Sequence, residues 1–293
     1  MATASAPGAD ATLVSPGPEH IDELGRICYE AFKDVADAHG FPPDFQSVQL
    51  ARRVIGMLVN RPDFYGVAAM VDGQLAGSNF LSLSDPVAGV GPITVDCAFQ
   101  GRDIGRLLMR DVICYARDQG IAMVRLVQDA FNTASLSLYA SLGFDTRHPL
   151  ALMRPSPAAS ADPSVRDATK DDLDALEALS IRIYKATRRG EVAAAIQHGI
   201  PVLVRVRDGR VRAYLIPVIF GHGVGESEDD MMALAQEGAR RAPRETVVFA
   251  PLDEPELFRS FLAAGFRTVK MMNLMTMGPY EAPSRVWMPS VLY

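Results

Sequence analysis

The stretch DCAFQGRDIGRLLMR, residues 96–110, decides the fold. It joins a strand-like run, VGPITVDCAF, to a helix-like run, IGRLLMRDVICYARDQG, through a turn carrying Gly101, Gly105, Arg102 and Arg106. The strand reads as ending near Cys97 and the helix as starting near Ile104. Residues 100–106 then present the first amides of a helix, which have no acceptor inside it, at its positive end. Glycines let backbone approach a bulky ligand and arginines add charge, so a pyrophosphate fits the place. A P-loop is excluded, because GRLL lacks the Lys and the Ser or Thr that such a loop needs.

Working outward, the chain is written twice. VDGQLAGSNFLSLS (71–84) reads as strand, Asp-Gly turn, strand, and VRVRDGRVRAYLIPVIF (204–220) repeats it. SLYASLGFDTRHPLALM (137–153) reads as a short helix, a Gly that stops it and two strand-like pieces; LFRSFLAAGFRTVKMMNLM (257–275) repeats that. Gly143 and Gly265 set the offset of this second pair at 122 residues. Between the copies PSPAASADPS (155–164), rich in Pro and Ser, reads as a linker. In the first copy EHIDELGRICYEAF spaces Ile21, Leu24, Ile27, Cys28 and Phe32 as a helix face, and VQLARRVIGMLV forms a second amphipathic piece. Hairpin strands and two strand–helix units follow, which predicts an α/β class with an α+β mixed sheet in two tandem domains. GHGVGE (221–226) is Gly-rich without dinucleotide spacing, and the acids after it oppose a phosphate; it reads as a turn.

Size and charge bound the function. At 293 residues there is room for two cores, and 48% hydrophobic residues fit a globular chain. A net charge of −6 with no basic tract disfavours nucleic acid. No apolar run approaches the roughly 18 residues of a membrane span. MATASAPGAD lacks the cationic start and apolar core of a secretory signal, so residues 1–12 read as a frayed tail and the expected compartment is cytoplasmic. Cys28, Cys97 and Cys114 show no metal-ligand spacing, and no metal is expected.

With these residues in view, VDCAFQGRDIGRLL resembles motif A of the GCN5-related N-acetyltransferases (GNAT superfamily), a Gln/Arg-x-x-Gly-x-Gly/Ala pattern after a hydrophobic strand. NTASLSLYASLGF, with Asn132, Ala134, Tyr139, Gly143 and Phe144, resembles motif B. The resemblance implies a catalytic domain over 13–154 and, over 165–293, the degenerate second half of a tandem GNAT protein. It implies acetyl-CoA as co-substrate, with the backbone of Val95 and Cys97 pairing the pantetheine arm. Amides from Gln100 through Gly101, Arg102, Asp103, Ile104 and Gly105 to Arg106 would hold the pyrophosphate. Asn132 would contact the cofactor side, and the Tyr139 hydroxyl would point at the sulfur. Position 103 departs from the pattern, with Asp where Gly is usual.

The implied chemistry is direct transfer: a neutral amine attacks the thioester carbonyl and Tyr139 protonates the departing thiolate. For the base, Asp96, Asp85 and Asp129 stand at strand ends, Asp96 being the chosen one, and a water relay is the alternative. Cys97 beside a thioester suggests an acyl-cysteine, but no His neighbours it in sequence. His39, Phe41, Phe45 and Tyr65 are candidates for an acceptor wall, and MMNLMTM (271–277) reads as a buried strand. The second copy has neither the turn nor the Asn–Tyr pair. The expected function is N-acetylation of a small-molecule amine by a monomer or homodimer. A longer acyl-CoA or a protein lysine is the rival substrate, and a non-catalytic acyl-CoA sensor the rival class.

Overall fold

The computed structural model describes residues 11–218, 221–243 and 246–292; residues 1–10, most of the expected tail, lie outside them, and Ala11 already begins a strand. The first half runs β1 (Ala11–Val14), α1 (Ile21–His39), α2 (Val48–Asn60), β2 (Phe64–Val71), β3 (Gln74–Ser82), β4 (Val87–Val90), β5 (Thr94–Val95), α3 (Ile104–Asp118), β6 (Met123–Asp129), α4 (Thr133–Ser141) and β7 (Asp145–Arg154). The second repeats this order as β8 (Val165–Asp167), α5 (Leu173–Tyr184), α6 (Arg189–Gln197), β9 (Leu203–Arg207), β10 (Arg210–Leu215), β11 (Gly223–Gly225), α7 (Glu228–Arg241), β12 (Val248–Pro251), α8 (Pro255–Ala263) and β13 (Arg267–Met277), then adds β14 (Val286–Met288). By their contacts, residues up to 83 with 88–124 form one compact unit, and 84–87 with 125–293 another.

In the first unit β1, β2 and β3 form an antiparallel ladder. The β2–β3 turn has both Asp72 and Gly73 at positive φ (49° and 78°), the twist that a two-residue hairpin requires. Phe80 faces α1 and α2, where Leu24, Ile27, Cys28, Ala51, Ile55 and Leu58 pack against it. Its neighbour Asn79 points the other way and reaches the Leu108 carbonyl of α3, so α3 covers the opposite face. The run 90–99, which the sequence reading has as one strand, is divided. β4 and β5 both pair with β3, but the register slips by one residue across Gly91–Ile93, and 97–99 closes into a 3-10 turn. A slip of this kind is a bulge, which bends the strand and re-aims its backbone. At Gly77 a Cβ would lie 2.3 Å from the Thr94 carbonyl oxygen, so only glycine lets β5 approach.

The second unit holds a feature that local periodicity does not announce. β13, from the second half, lies between β6 and β7 of the first, and β12 borders the far edge of β7. The last strand of each half is thus placed beside the penultimate strand of the other. The register carries the same symmetry: Leu150 pairs with Met272, a separation equal to the repeat offset of 122, so a pseudo-twofold axis passes through that pair. β7 is one ten-residue strand rather than two pieces; His148-Pro149 does not break it. A second sheet runs β14-β11-β10-β9-β8. GHGVGE is therefore more than a turn: Gly223 and Gly225 lie in β11, where a Cβ on Gly223 would lie 2.8 Å from the Tyr214 carbonyl oxygen. The acids that follow occupy the first turn of α7 behind the N-cap Ser227, where the helix field favours them. Ala151, Met153, Leu203, Leu234, Phe261 and Met288 are among the buried residues of this unit's core.

Candidate active site

The turn before α3 has the geometry expected of an anion cradle. Gly101 is left-handed (φ 74°), and a Cβ there would meet nothing within 4 Å, so the concavity is open. Asp103, the N-cap of α3, is also left-handed (φ 59°), and its side chain makes no capping hydrogen bond, which leaves the helix start available to a ligand. This accounts for the departure at 103. The backbone needs a conformation natural to glycine, and Asp is among the few other residues that adopt it readily. Its carboxylate is exposed and lies 3.7 Å from Arg106 Nε, so its charge is partly offset. Arg102 stacks over the Phe99 ring at 5.5 Å, and the Gln100 side chain donates to the Val95 carbonyl at 3.3 Å. Ile104 is buried and anchors the helix, while Gly105 and Arg106 are half-buried.

The base candidates are all engaged. Asp96 accepts from the Ala98 amide (2.9 Å) and from Arg26 of α1 (2.8 Å). Burial would raise its carboxyl, but that amide and guanidinium outweigh it and hold the group below its ordinary value. It also lines a hollow of about 560 Å³ on the α1 side, with Glu23, Arg26, Gln74 and Phe99. Asp85 is buried and caps α6 through the Gly190 and Glu191 amides (2.8 and 3.1 Å). Asp129 pairs with buried Lys270 of β13 at 2.7 Å. Cys97 lies past the strand in the 3-10 turn, and its thiol donates to Asp34 at 2.8 Å. That bond to a carboxylate, together with burial, pushes the thiol up to about 11, the wrong direction for a nucleophile.

In the second unit Asn132 is the N-cap of α4, accepting from the Ser135 amide at 3.1 Å. Tyr139, one face along, is buried. Burial first and the Asp129 charge second push its phenol above its ordinary value, so it keeps its proton at neutral pH. Of the acceptor-wall candidates, Tyr65 stacks on Tyr115 (3.7 Å between centroids) and donates to Asp111 on the α3 face. Phe45 packs edge-on to Phe32, Phe41 is half-buried, and His39 bonds the Val35 carbonyl at the exposed end of α1. Sequence reading missed a polar group spread over three distant segments: Asp253, His148 and Tyr280, joined by hydrogen bonds and walled by Trp287, Arg125 and Arg147. Only His148, in a strand otherwise reading as core, hints at it. Among the described residues no His, Cys, Asp and Glu group is placed to hold a metal, and no helix is long and apolar enough to cross a membrane.

Comparison with known proteins fits this geometry. Residues 25–144 match the model of the acetyltransferase (GNAT) family. Similar curated proteins include a mycothiol acetyltransferase of Thermomonospora curvata, 38% identical over 87 residues (29% of each chain). Another is the N-alpha-acetyltransferase RimI of Mycobacterium tuberculosis, 46% identical over 87 residues, 28% of this chain and 53% of that one. The match thus spans under a third of the first relative and about half of the second. Among solved structures, a tandem GNAT protein from the clavulanic acid biosynthesis pathway superposes with a TM-score of 0.57 at 15% identity, covering 93% of this chain and all of that one. It shows the shared fold.

Proposed function

Because residues 25–144 match the model of the acetyltransferase (GNAT) family, we propose that the chain moves an acetyl group from acetyl-CoA to the amine of a small molecule by direct transfer. The observation that carries this is the turn from Gln100 to Arg106, with an uncapped helix start, an open left-handed glycine and two flanking arginines. It suits a pyrophosphate in shape and charge. Bound there, acetyl-CoA would supply an acyl group already activated as a thioester. Around it the chain's residues do the rest. Amides of residues 100–106 hold the phosphates, and the backbone near Val95 and Cys97, beside the bulge, lines the pantetheine arm. Asn132 fixes the start of α4, and Tyr139 delivers its proton to the departing sulfur. Asp96, tied to Arg26, serves this arrangement as a cap rather than a base.

The tandem reading follows as part of the proposal: a catalytic domain over 13–154, a linker over 155–164 and a domain over 165–293 without a cofactor site. The second half has no counterpart of the Gln100–Arg106 turn, and β11 is hydrogen-bonded along both edges, to β10 and to β14. The likeness to a mycothiol acetyltransferase supports a small-molecule acceptor, and the likeness to RimI supports a protein amine as the second reading. Thiol release from acetyl-CoA, measured over a panel of small amines and short peptides, tests both. Release with a small amine is expected, and binding of acetyl-CoA without release to any acceptor would sink the enzyme reading in favour of a sensor.

Two substitutions of opposite sign test the cradle. Arg106→Ala should weaken coenzyme A binding about tenfold, by loss of a charge-assisted contact. Asp103→Gly should tighten it a few-fold, because it removes both a negative charge and a left-handed non-glycine residue. Titration calorimetry reads both, and should return one site per chain. Equal affinities across the series would mean that the phosphates lie elsewhere.

A further inference from the structure

The proposed reaction needs an amine free of its proton, and the sequence candidates for removing that proton are held as caps or ion pairs. The second unit contains a different arrangement. The Asp253 carboxylate can only accept, so His148 carries its proton on Nδ1 and donates it to Asp253. Nε2 is then an acceptor, and the Tyr280 hydroxyl donates to it. Trp287 fixes the imidazole from the side, edge-on at 4.8 Å between centroids. A phenol hydrogen-bonded to an imidazole, itself oriented by a carboxylate, has the logic by which a weak acid is made to exchange its proton.

The surroundings act on that proton in both directions. The Arg125 and Arg147 guanidiniums lie 5.1 and 5.2 Å from the centre of the Tyr280 ring. Burial raises the Tyr280 phenol, with smaller contributions from Tyr184 and Asp253, and the two guanidiniums act against it. Arg125, Arg147, His148, Tyr184 and Asp253 are thus among the charged and titratable groups around the phenol, and its chain neighbour Glu281 pairs with Lys185. Tyr280 is only half-buried, whereas His148 is 8% exposed and Asp253 45%. One end of the array is therefore open to a ligand and the other to solvent. The strand that carries Arg125 ends at Asp129, and three residues on the chain reaches Asn132, the N-cap of α4 and a proposed cofactor contact.

We propose that Tyr280, His148 and Asp253 form the relay that takes the proton from the acceptor ammonium, an assignment that rests on the acetyl-transfer reading above. The step balances with one proton moved. The ammonium N–H bond breaks as a bond to Tyr280 Oη forms, and the original Tyr280 O–H bond breaks as a bond to His148 Nε2 forms. The amine is left neutral with its lone pair, and the imidazolium is held by Asp253. The proton then leaves to water at the exposed carboxylate, and nothing is oxidised or reduced. Tyr280 is the catalytic residue; His148 and Asp253 position and drive it. The same guanidiniums disfavour a cation beside the phenol and so favour the neutral amine.

The test exploits acceptors that need no deprotonation. Take the alkyl amine identified by the panel and an aromatic amine of similar size, which is already neutral at pH 7. For Tyr280→Phe and His148→Gln, kcat/KM with the alkyl amine should fall about tenfold to a hundredfold, within reach of a positioned base. With the aromatic amine it should change little, and the acid limb of the alkyl-amine pH profile should move to higher pH. Equal losses with both acceptors, or no loss with the alkyl amine, would overturn the relay. If the wild type acetylates neither, the reading of the reaction has failed instead, and with it the relay. Thermal unfolding checks each variant. Should His148→Gln not fold, Tyr280→Phe, which keeps the ring beside both guanidiniums, decides alone.

Discussion

Residues 1–154 produced alone will neither unfold cooperatively nor bind coenzyme A, although they contain every residue of the proposed cradle. The cause is the exchanged strand. β7 pairs with β13 and β12, and both come from the second half, so a chain ending at 154 leaves β7 without these partners. Leu150, Ala151 and Met153, buried to completion in the whole chain, would face water. An unpaired apolar strand is also a template for aggregation. Circular dichroism during heating and titration calorimetry with coenzyme A read the outcome, and residues 155–293 supplied as a separate chain should restore part of both signals. A fragment that melts sharply and binds coenzyme A unaided would show that β13 is dispensable.

Tyr139→Phe should leave coenzyme A binding intact and lower kcat by a factor of about 10²–10⁴, the span for a positioned acid. The ring stays, so its packing against Phe144, at 6.2 Å between centroids, should survive. Burial and the neighbouring Asp129 keep the phenol protonated, which is what a donor needs. The lower end of the span is expected, because a thiol of pKa about 8.5 leaves tolerably without help. The measurement is kcat at saturating acetyl-CoA with the acceptor found by the panel. An unchanged kcat with intact binding would make water the proton source and Tyr139 a packing residue.

Local features of this chain could be read directly because they are encoded locally. The two Asp-Gly hairpins, at Asp72-Gly73 and Asp208-Gly209, need both residues at positive φ, and few other pairs supply that. The start of α3 was marked by its glycines. The repeat offset anticipated even the centre of the β7–β13 ladder, yet nothing in it says that the two strands pair with each other. Pairing is a long-range choice, and alternation along a strand names the face but not the neighbour. The glycines of β11 misled for a related reason: they reflect a close backbone approach inside a sheet, which composition cannot tell from a turn. Pro149 similarly suggests a break, but its carbonyl still accepts from Leu252 while the missing amide is tolerated. The Asp253–His148–Tyr280 array was out of reach. Its members stand 105 and 132 residues apart, and no spacing rule joins them.

The short strand β14 bears on the proposed difference between the two halves. Along Gly223, Val224 and Gly225 the chain's own terminal segment, Val286–Met288, occupies hydrogen-bonding groups that an extended ligand would otherwise compete for. Trp287 is buried in the process. The proposal that the second half has no cofactor site thus has a main-chain argument as well as a side-chain one. Point mutations that rebuilt a phosphate turn before α7 would accumulate without reward, since the strand edge beside it would still be filled. Recovery of a second site would require excision of β14 in the same event, a step that also uncovers the indole. If the second half is the one without a cofactor site, as proposed, a three-residue strand helps to keep it so.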